Sequence, residues 1–390
     1  MKITGFDTYK NRFGIESRSV IEPGLERIER VLAALGHPER HDKIIHVAGT
    51  NGKGSTIAFL KALCETHNLT YGAFQSPAIV DVHDQIVVNG TTISEHEMNS
   101  IVEKVSKVEE AKTLTDFELL TVCAFLFFQQ KEVEMWLVET GMGGRFDSTN
   151  VVPNSTAVIT SLSIDHTNFL GTTLDDIGSH KAGIIKQKAN VFVPESIYLA
   201  PIEKEVETKN ARLNMIAPLG DEIEIALLGD HQRMNASLAV AAFQSLVESN
   251  PGAIEQALKT AYIPFRMEKI AENVYLDGAH NLESAVKLAE TIKKSFKGQS
   301  IHLIMGILAD KEYKEILIAL EEVADKITFV QFSHERALDA NRLVELCRIE
   351  NCDLKKVEDI VINLTNDGKT STFLTGSLYF LTEWRFKKSQ

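Results

Sequence analysis

The sequence predicts an α/β protein of two domains: a phosphate-loop-type, mostly parallel sheet domain over residues 1–264 and a smaller, Rossmann-like α/β domain over 265–390. Three observations predict it. Short apolar runs, each ending in glycine or a polar residue, alternate with longer helical patterns; near-continuous apolar strands separated by helices belong to parallel sheets covered on both faces. One such run enters a glycine-rich turn that leads directly into a helix. The chain has 390 residues, more than the roughly 250–300 that one hydrophobic core usually serves.

Taken in order, IIHVAG (44–49) reads as a strand, and Ser55 to Glu65 as the helix after it. MWLVETG (135–141), TAVITSL (156–162) and ANVFVP (189–194) are further strands. The segment AYIPFRMEK, with Pro264, marks the boundary. From Phe265 the alternation restarts: VYLDG, a helix to Phe296, IHLIMG, a helix from Lys311, KITFV, a helix near Asn341, STFLTG and a last helix. No internal repeat or low-complexity tract interrupts this order.

Composition narrows the function classes. With 41 Lys+Arg against 54 Asp+Glu, the net charge is −13. An acidic chain is a poor binder of nucleic acid or anionic membranes, although a local pocket can oppose the global sign. Cys64, Cys123, Cys347 and Cys352 are too scattered for a disulfide framework, and their spacing fits no common zinc or redox motif. The N-terminal stretch has no apolar signal segment, and the most apolar run, Val122–Phe128, is far short of the ~20 residues of a membrane helix. A cytoplasmic protein is expected.

The strongest local signal is HVAGTNGKGST (46–56). Gly49, Gly52 and Gly54 let backbone N–H groups approach oxygens closely. The following helix N-terminus adds the positive end of a dipole. Lys53 supplies a mobile cation for terminal phosphates, and Ser55 or Thr56 a hydroxyl for Mg²⁺. The spacing departs from the common G-x-x-x-x-G-K-[ST], since Gly54 separates the lysine from the serine.

Other groups fall where parallel sheets bind ligands, at strand C-terminal ends. Glu139 closes an apolar strand in LVETGMGGRFDSTN, and Asp165-His166 follow VITSLS. A Glu oxygen and a neutral His nitrogen suit Mg²⁺ with water completing the shell. By itself His166 also reads as a hydrogen-bonded structural histidine. Lys181, in DDIGSHKAGIIK, stands beside small and apolar residues; a snorkelling surface lysine is the bland alternative, and composition alone does not decide it. Gly229-Asp230-His231-Gln232 with Asn235-Ala236, and Asp277-Gly278-Ala279-His280-Asn281, each open a helix; capping alone explains such residues as well as function does.

Together these segments resemble the folylpolyglutamate synthase/dihydrofolate synthase family of the Mur ligase superfamily. The resemblance runs nearly end to end: GLERIERVLAALGHP (24–38), HVAGTNGKGST, TDFELLTVCAF (115–125), VETGMGGRFDSTNV (138–151), ITSLSIDHTNFLG (159–171), HKAGIIK (180–186), GDHQRMNA (229–236), FRMEKI (265–270), LDGAHN (276–281), GILADK (306–311), SHERA (333–337) and LTGSLYFLTE (374–383).

The resemblance implies an ATP-dependent ligase adding L-glutamate to the γ-carboxyl of a folate or tetrahydrofolate already bearing glutamate, through an acyl phosphate. It implies two Mg²⁺ ions and no nucleic-acid or membrane partner, and a monomer is expected. Asn51, Gly52, Lys53, Gly54 and Ser55 match the ATP loop, and Asn235, Arg266 and Asp277 match further ATP contacts. Ser76, Glu139 and His166 match metal ligands. Lys53, Lys181 and His280 match catalytic positions, with Lys181 matching a lysine carbamylated in the family and His280 a residue near glutamate and the acyl phosphate. Leu25, Glu26, Arg27, Thr115, Phe117, Asp147 and Ser148 match the folate pocket.

Three departures bear on substrate preference and motif integrity. Ala78 stands where the family usually has His, Asp84-Gln85-Ile86 replaces a Glu-Arg-Ile-like triplet, and Leu282 follows DGAHN in place of Pro. The alternatives are an enzyme that also accepts dihydropteroate and a non-catalytic nucleotide-binding paralogue. A cell-wall ligase of the same superfamily needs a further N-terminal domain of roughly 100 residues and is not expected.

Overall fold

A computed structural model describes residues 5–20, 22–362 and 369–389. Two compact units emerge: residues up to Ala226 with Gln232–Tyr262, and Leu227–His231 with the chain from Ile263 onward.

The first unit is built on a sheet of eight strands: β1 (Ile44–Ala48), β2 (Tyr71–Phe74), β3 (Ile86–Val88), β4 (Thr91–Thr92), β5 (Met135–Glu139), β6 (Thr156–Ile159), β7 (Asn190–Pro194) and β8 (Arg212–Ile216). Their order across the sheet is β4-β3-β2-β5-β1-β6-β7-β8. All pairings from β2 to β8 are parallel; only the β2–β3–β4 edge is antiparallel. Every residue of β1, β2, β5 and β6 is buried, as continuous apolar runs require between two helical layers.

The Val122–Phe128 run belongs to the helix Asp116–Gln130, which is buried along most of its length. Its start is written in the sequence: Thr115 caps the backbone N–H of Glu118, and the Glu118 carboxylate returns to the N–H of Thr115. Phe125 of this helix stacks on Trp136 of β5 at 5.3 Å. Among the described residues no helix is long and apolar enough to cross a membrane.

The second unit carries β9 (Glu268–Ala271), β10 (Val274–Leu276), β11 (Ser300–Met305), β12 (Lys326–Gln331), β13 (Cys352–Lys356) and β14 (Thr370–Thr375). The order is β13-β12-β11-β14-β10-β9, parallel except for β9. Phe373 at its centre stacks on Tyr275 at 5.2 Å and meets Phe296 edge-on at 5.0 Å.

The structure differs from the sequence reading in two ways. The strands are shorter: β5 stops at Glu139 and β6 at Ile159, so Asp165-His166 lie in the loop beyond β6, not at its end. The strands β2, β3, β4, β8, β9 and β13 were not anticipated: β2 and β3 are apolar but only four and three residues long, and the others lack a continuous apolar run. β8 and β13 are sheet edges whose residues are exposed or half-buried, so their sequences, RLNMI and CDLKK, are free to be polar. Cys64 and Cys123 are buried, Cys347 and Cys352 half-buried, and all four are free thiols.

Candidate active site

The phosphate loop leaves β1 and enters the helix Lys53–Thr66. Gly52 is the N-cap, at φ 88° and with no side-chain cap, so the first backbone N–H groups of this helix lack the side-chain oxygen that caps other helices here. A Cβ on Gly52 would stand 2.5 Å from Asn235 Oδ1. The loop is therefore packed directly against the helix Asp230–Gln244, which carries Asn235.

Its other wall is the segment after β6. Thr50 N donates to Ser161 O at 3.2 Å, and Asn51 N to Ser161 Oγ at 2.9 Å. The carbonyl of Asn51 accepts from Thr160 Oγ1 at 2.5 Å and Ser161 Oγ at 3.0 Å. Thr50 Oγ1 donates to Ser163 O at 3.1 Å. The sequence reading missed Thr160, Ser161 and Ser163. Their signal was the run of hydroxyls following a β-branched strand, which means little until β6 is known to neighbour β1. Lys53 Nζ donates to Gly49 O at 2.9 Å and Thr50 O at 3.3 Å, so the ammonium lies folded over the loop.

Glu139, 4% exposed, pairs in register with Val47, which precedes the loop by two residues. Phe74 pairs with Val138, which places Ser76 just past the level of Glu139 on the neighbouring strand. Ser76 and Glu139 thus share the carboxyl edge with the loop. His166, at φ 51° and with its side chain half exposed, stands at the N-cap position of the short helix Thr167–Leu170 without a side-chain cap bond. Its Nε2 lies 3.8 Å from Asp165 Oδ2. Among the described residues no group of three His, Cys, Asp or Glu side chains forms a metal cage. Mg²⁺ takes mainly oxygen donors and completes its shell with phosphate oxygens and water. The donor set of hydroxyl, carboxylate and imidazole is chemically suited to it.

The burial of Lys181 resolves what its composition left open. It is 3% exposed in the helix Leu174–Ala182, not a surface lysine. The helix packs on the chain around Arg145, where Arg145 N donates to His180 O at 2.7 Å.

The residues matched to a folate pocket gather around the start of the helix Asp116–Gln130. Arg27, beside half-buried Leu25 and exposed Glu26, pairs with Glu118 at 3.0 Å and Glu22 at 3.1 Å. Thr115 is buried as the helix cap. Phe117 lies against Gly141 and near Asp147, and Ser148 Oγ is 2.6 Å from Thr121 Oγ1, one turn along the same helix. Burial pushes the Asp147 carboxyl up, opposed by the hydroxyl of Thr149 and backbone N–H groups.

The departing loop residues have a local role. Asp84 Oδ2 accepts from Val80 N at 2.6 Å, and buried Gln85 donates to Gln75 O at 3.2 Å. Both brace the loop that follows Ser76, with Ala78 half-buried inside it.

In the second unit, Asp277 takes the backbone N–H of Met267 on one oxygen and that of Ala279 on the other, both at 2.9 Å. Burial raises its carboxyl, with Arg266 opposing. Arg266 sits between two residues of left-handed backbone, Phe265 at φ 58° and Met267 at φ 46°. Such conformations cost energy and concentrate where a side chain must be aimed. His280 donates from Nδ1 to Gly278 O at 2.9 Å, since a carbonyl can only accept. Asn281 caps the helix Leu282–Ser295, which Leu282 opens.

A helix start with no side-chain cap behind a pinned glycine loop, with a carboxylate and a hydroxyl on the same sheet edge, is suited to holding a nucleotide's phosphates. Residues 47–216 match the Mur ligase middle domain and residues 265–365 the Mur ligase glutamate ligase domain. The chain is 37% identical over 409 residues to the dihydrofolate synthase/folylpolyglutamate synthase of Bacillus subtilis, covering 94% of this chain and 95% of that protein. Escherichia coli FolC in complex with DHPP and ADP superposes with a TM-score of 0.87 at 26% identity, covering 98% and 97% of the two chains. A bifunctional folylpolyglutamate synthase/dihydrofolate synthase with Mn, AMPPNP and L-glutamate bound gives 0.82 at 25% identity, covering 95% and 96%. The chain belongs to the dihydrofolate synthase/folylpolyglutamate synthase family, and it is a ligase.

Proposed function

We propose that the chain joins L-glutamate to the γ-carboxyl of a folate or tetrahydrofolate, activating that carboxyl with ATP as an acyl phosphate. The observation that carries this reading is the phosphate loop, pinned to Thr160–Ser163 on one side and Asn235 on the other, with its helix left uncapped. The relatives bound to ADP with DHPP, and to Mn, AMPPNP and L-glutamate, support the same substrates here.

In this reading the N–H groups at the start of the helix Lys53–Thr66 and Asn51 hold the triphosphate, with Gly52, Gly54 and Ser55 closing the cradle. Lys53 exchanges its neutral carbonyl partners for phosphate oxygens, a stronger charge-assisted bond. It offsets charge on the phosphoryl group as the carboxylate attacks, and such preorganised charge is usually the largest catalytic contribution. Ser76, Glu139 and His166 would hold Mg²⁺, which supplies charge neutralisation at the phosphates when bound. Lys181 is assigned as a carbamylated lysine; its burial removes it from competing water. Asn235 is assigned to the ATP site beside the loop, and Arg266 and Asp277 of the second unit are assigned as residues that bind ATP. His280 is assigned to the glutamate and acyl-phosphate side of the reaction. Residues 1–264 serve as the ATP and folate domain and 265–390 as the glutamate-ligase domain.

A second acceptor, dihydropteroate, is favoured by the double name of the Bacillus subtilis relative. One assay separates the readings. The protein is incubated with ATP, Mg²⁺ and radiolabelled glutamate, with either dihydropteroate or tetrahydrofolate as acceptor. Phosphate release should require acceptor and glutamate together. Release with neither, or no labelled product from either acceptor, overturns the ligase assignment.

A further inference from the structure

We infer that His46 and Thr149 form a buried relay that fixes the carboxylate of Asp147, and so set how tightly the acceptor's pterin is held without touching it. This rests on the assignment of Asp147 to the folate pocket.

His46 lies on β1 and Thr149 in the turn Ser148–Val151; both are fully buried. His46 Nε2 is 2.9 Å from Thr149 Oγ1, and that hydroxyl is 2.5 Å from Asp147 Oδ1. The same oxygen accepts from Thr149 N at 3.1 Å, and Oδ2 accepts from Met142 N at 2.8 Å. Proton directions follow. A backbone N–H donates to each oxygen of Asp147, so the group acts as an acceptor and the hydroxyl of Thr149 donates to it. That hydroxyl has one proton, so it can only accept from His46, whose proton must be on Nε2.

The imidazole is held neutral. Burial, with the charge of Lys186 nearby, pushes its pKa down to about 3. Its Nδ1 has no hydrogen-bond partner. A buried acceptor left unpaired needs a reason, and the Nε2 bond to Thr149 supplies one.

The far end of the relay lies near an aromatic ring. A Cβ on Gly141 would lie 2.6 Å from the Phe117 ring and 3.3 Å from Asp147 Oδ2. An aromatic ring near a fixed carboxylate suits a flat heteroaromatic that presents neighbouring N–H donors, as a pterin does. Discrimination then depends on the angle at which the carboxylate is held, and Thr149 sets that angle from behind.

The test is a pair of substitutions at each relay position, read as separate KM values for acceptor and ATP. Thr149→Val replaces the hydroxyl by a methyl; it should raise the KM for dihydropteroate or tetrahydrofolate about tenfold, the scale of one hydrogen bond to a charged group. The KM for ATP should stay within about twofold. Thr149→Ser should restore the acceptor KM. His46→Gln, whose amide can donate, should retain more acceptor affinity than His46→Leu, which gives a second readout if Thr149→Val fails to fold. Equal acceptor KM values for the Val and Ser variants, or an ATP KM rising in step, overturn the relay. Asp147→Ala separates the levels. If it raises the acceptor KM while Thr149→Val does not, the folate pocket stands and the relay falls. If it changes nothing, the pocket assignment falls and takes the relay with it.

Discussion

Replacing Gly52 by alanine tests the packing of the phosphate loop, and Gly36 supplies its control. The two glycines share nearly the same backbone, φ 88° and φ 84°. A Cβ at Gly36 would meet nothing within 4 Å, whereas at Gly52 it would stand 2.5 Å from Asn235 Oδ1 and 3.3 Å from Thr160 Cβ. Left-handed backbone costs an L-residue about 1–2 kcal/mol, so Gly36→Ala should lose that much stability. Gly52→Ala should lose the same amount and more, because Asn235 must move. Asn235 is buried, and its amide nitrogen bonds Gln232 Oε1 at 3.0 Å. Breaking that bond adds about 1 kcal/mol, for about 2–3 kcal/mol in all. Urea unfolding followed by probes in each unit, with titration of a non-hydrolysable ATP analogue, measures both effects. Gly36→Ala should bind the analogue normally, and Gly52→Ala should bind it at least tenfold more weakly. Equal stability losses with unchanged affinity would refute the claim that Asn235 walls the loop.

Three further outcomes are expected. Lys181→Ala should lose most turnover and partly regain it with added short carboxylates, measured as phosphate release; undiminished turnover would remove the carbamate from the mechanism. Thr160→Val deletes a hydroxyl that bonds Asn51 O. It should cost about 1 kcal/mol of stability and raise the KM for ATP while sparing that for the acceptor. Burial, with Lys209 nearby, pushes Lys186 down from 10.5 to about 8. Between these values the unfolded chain holds the proton and the folded chain releases it, so stability rises with pH. The burial penalty is full below pH 8 and gone above 10.5, a span of about 3 kcal/mol. Unfolding free energies of wild type and Lys186→Met should diverge by that amount across the window; parallel curves would contradict the burial of this amine.

The sequence by itself determined the phosphate loop, the alternation of strands and helices, and a helix start at Asn281. These are local properties: glycine spacing, apolar runs and an Asn side chain capping the turn that follows it act within one turn of chain. It also determined the family, because motifs in a fixed order need no coordinates to be compared. Only the tertiary structure decided that Thr160 and Ser161 brace the loop, since that requires β6 to lie beside β1 across more than a hundred residues of chain. It decided that Lys181 is buried, because neighbours in sequence do not reveal which helix face is covered. It decided that edge strands such as β8 exist, because backbone pairing at a sheet edge makes no demand for apolar side chains. The chain from His46 through Thr149 to Asp147 was invisible for the same reason: a hydrogen bond depends on distance in space, and residue order fixes that distance only after the sheet has formed.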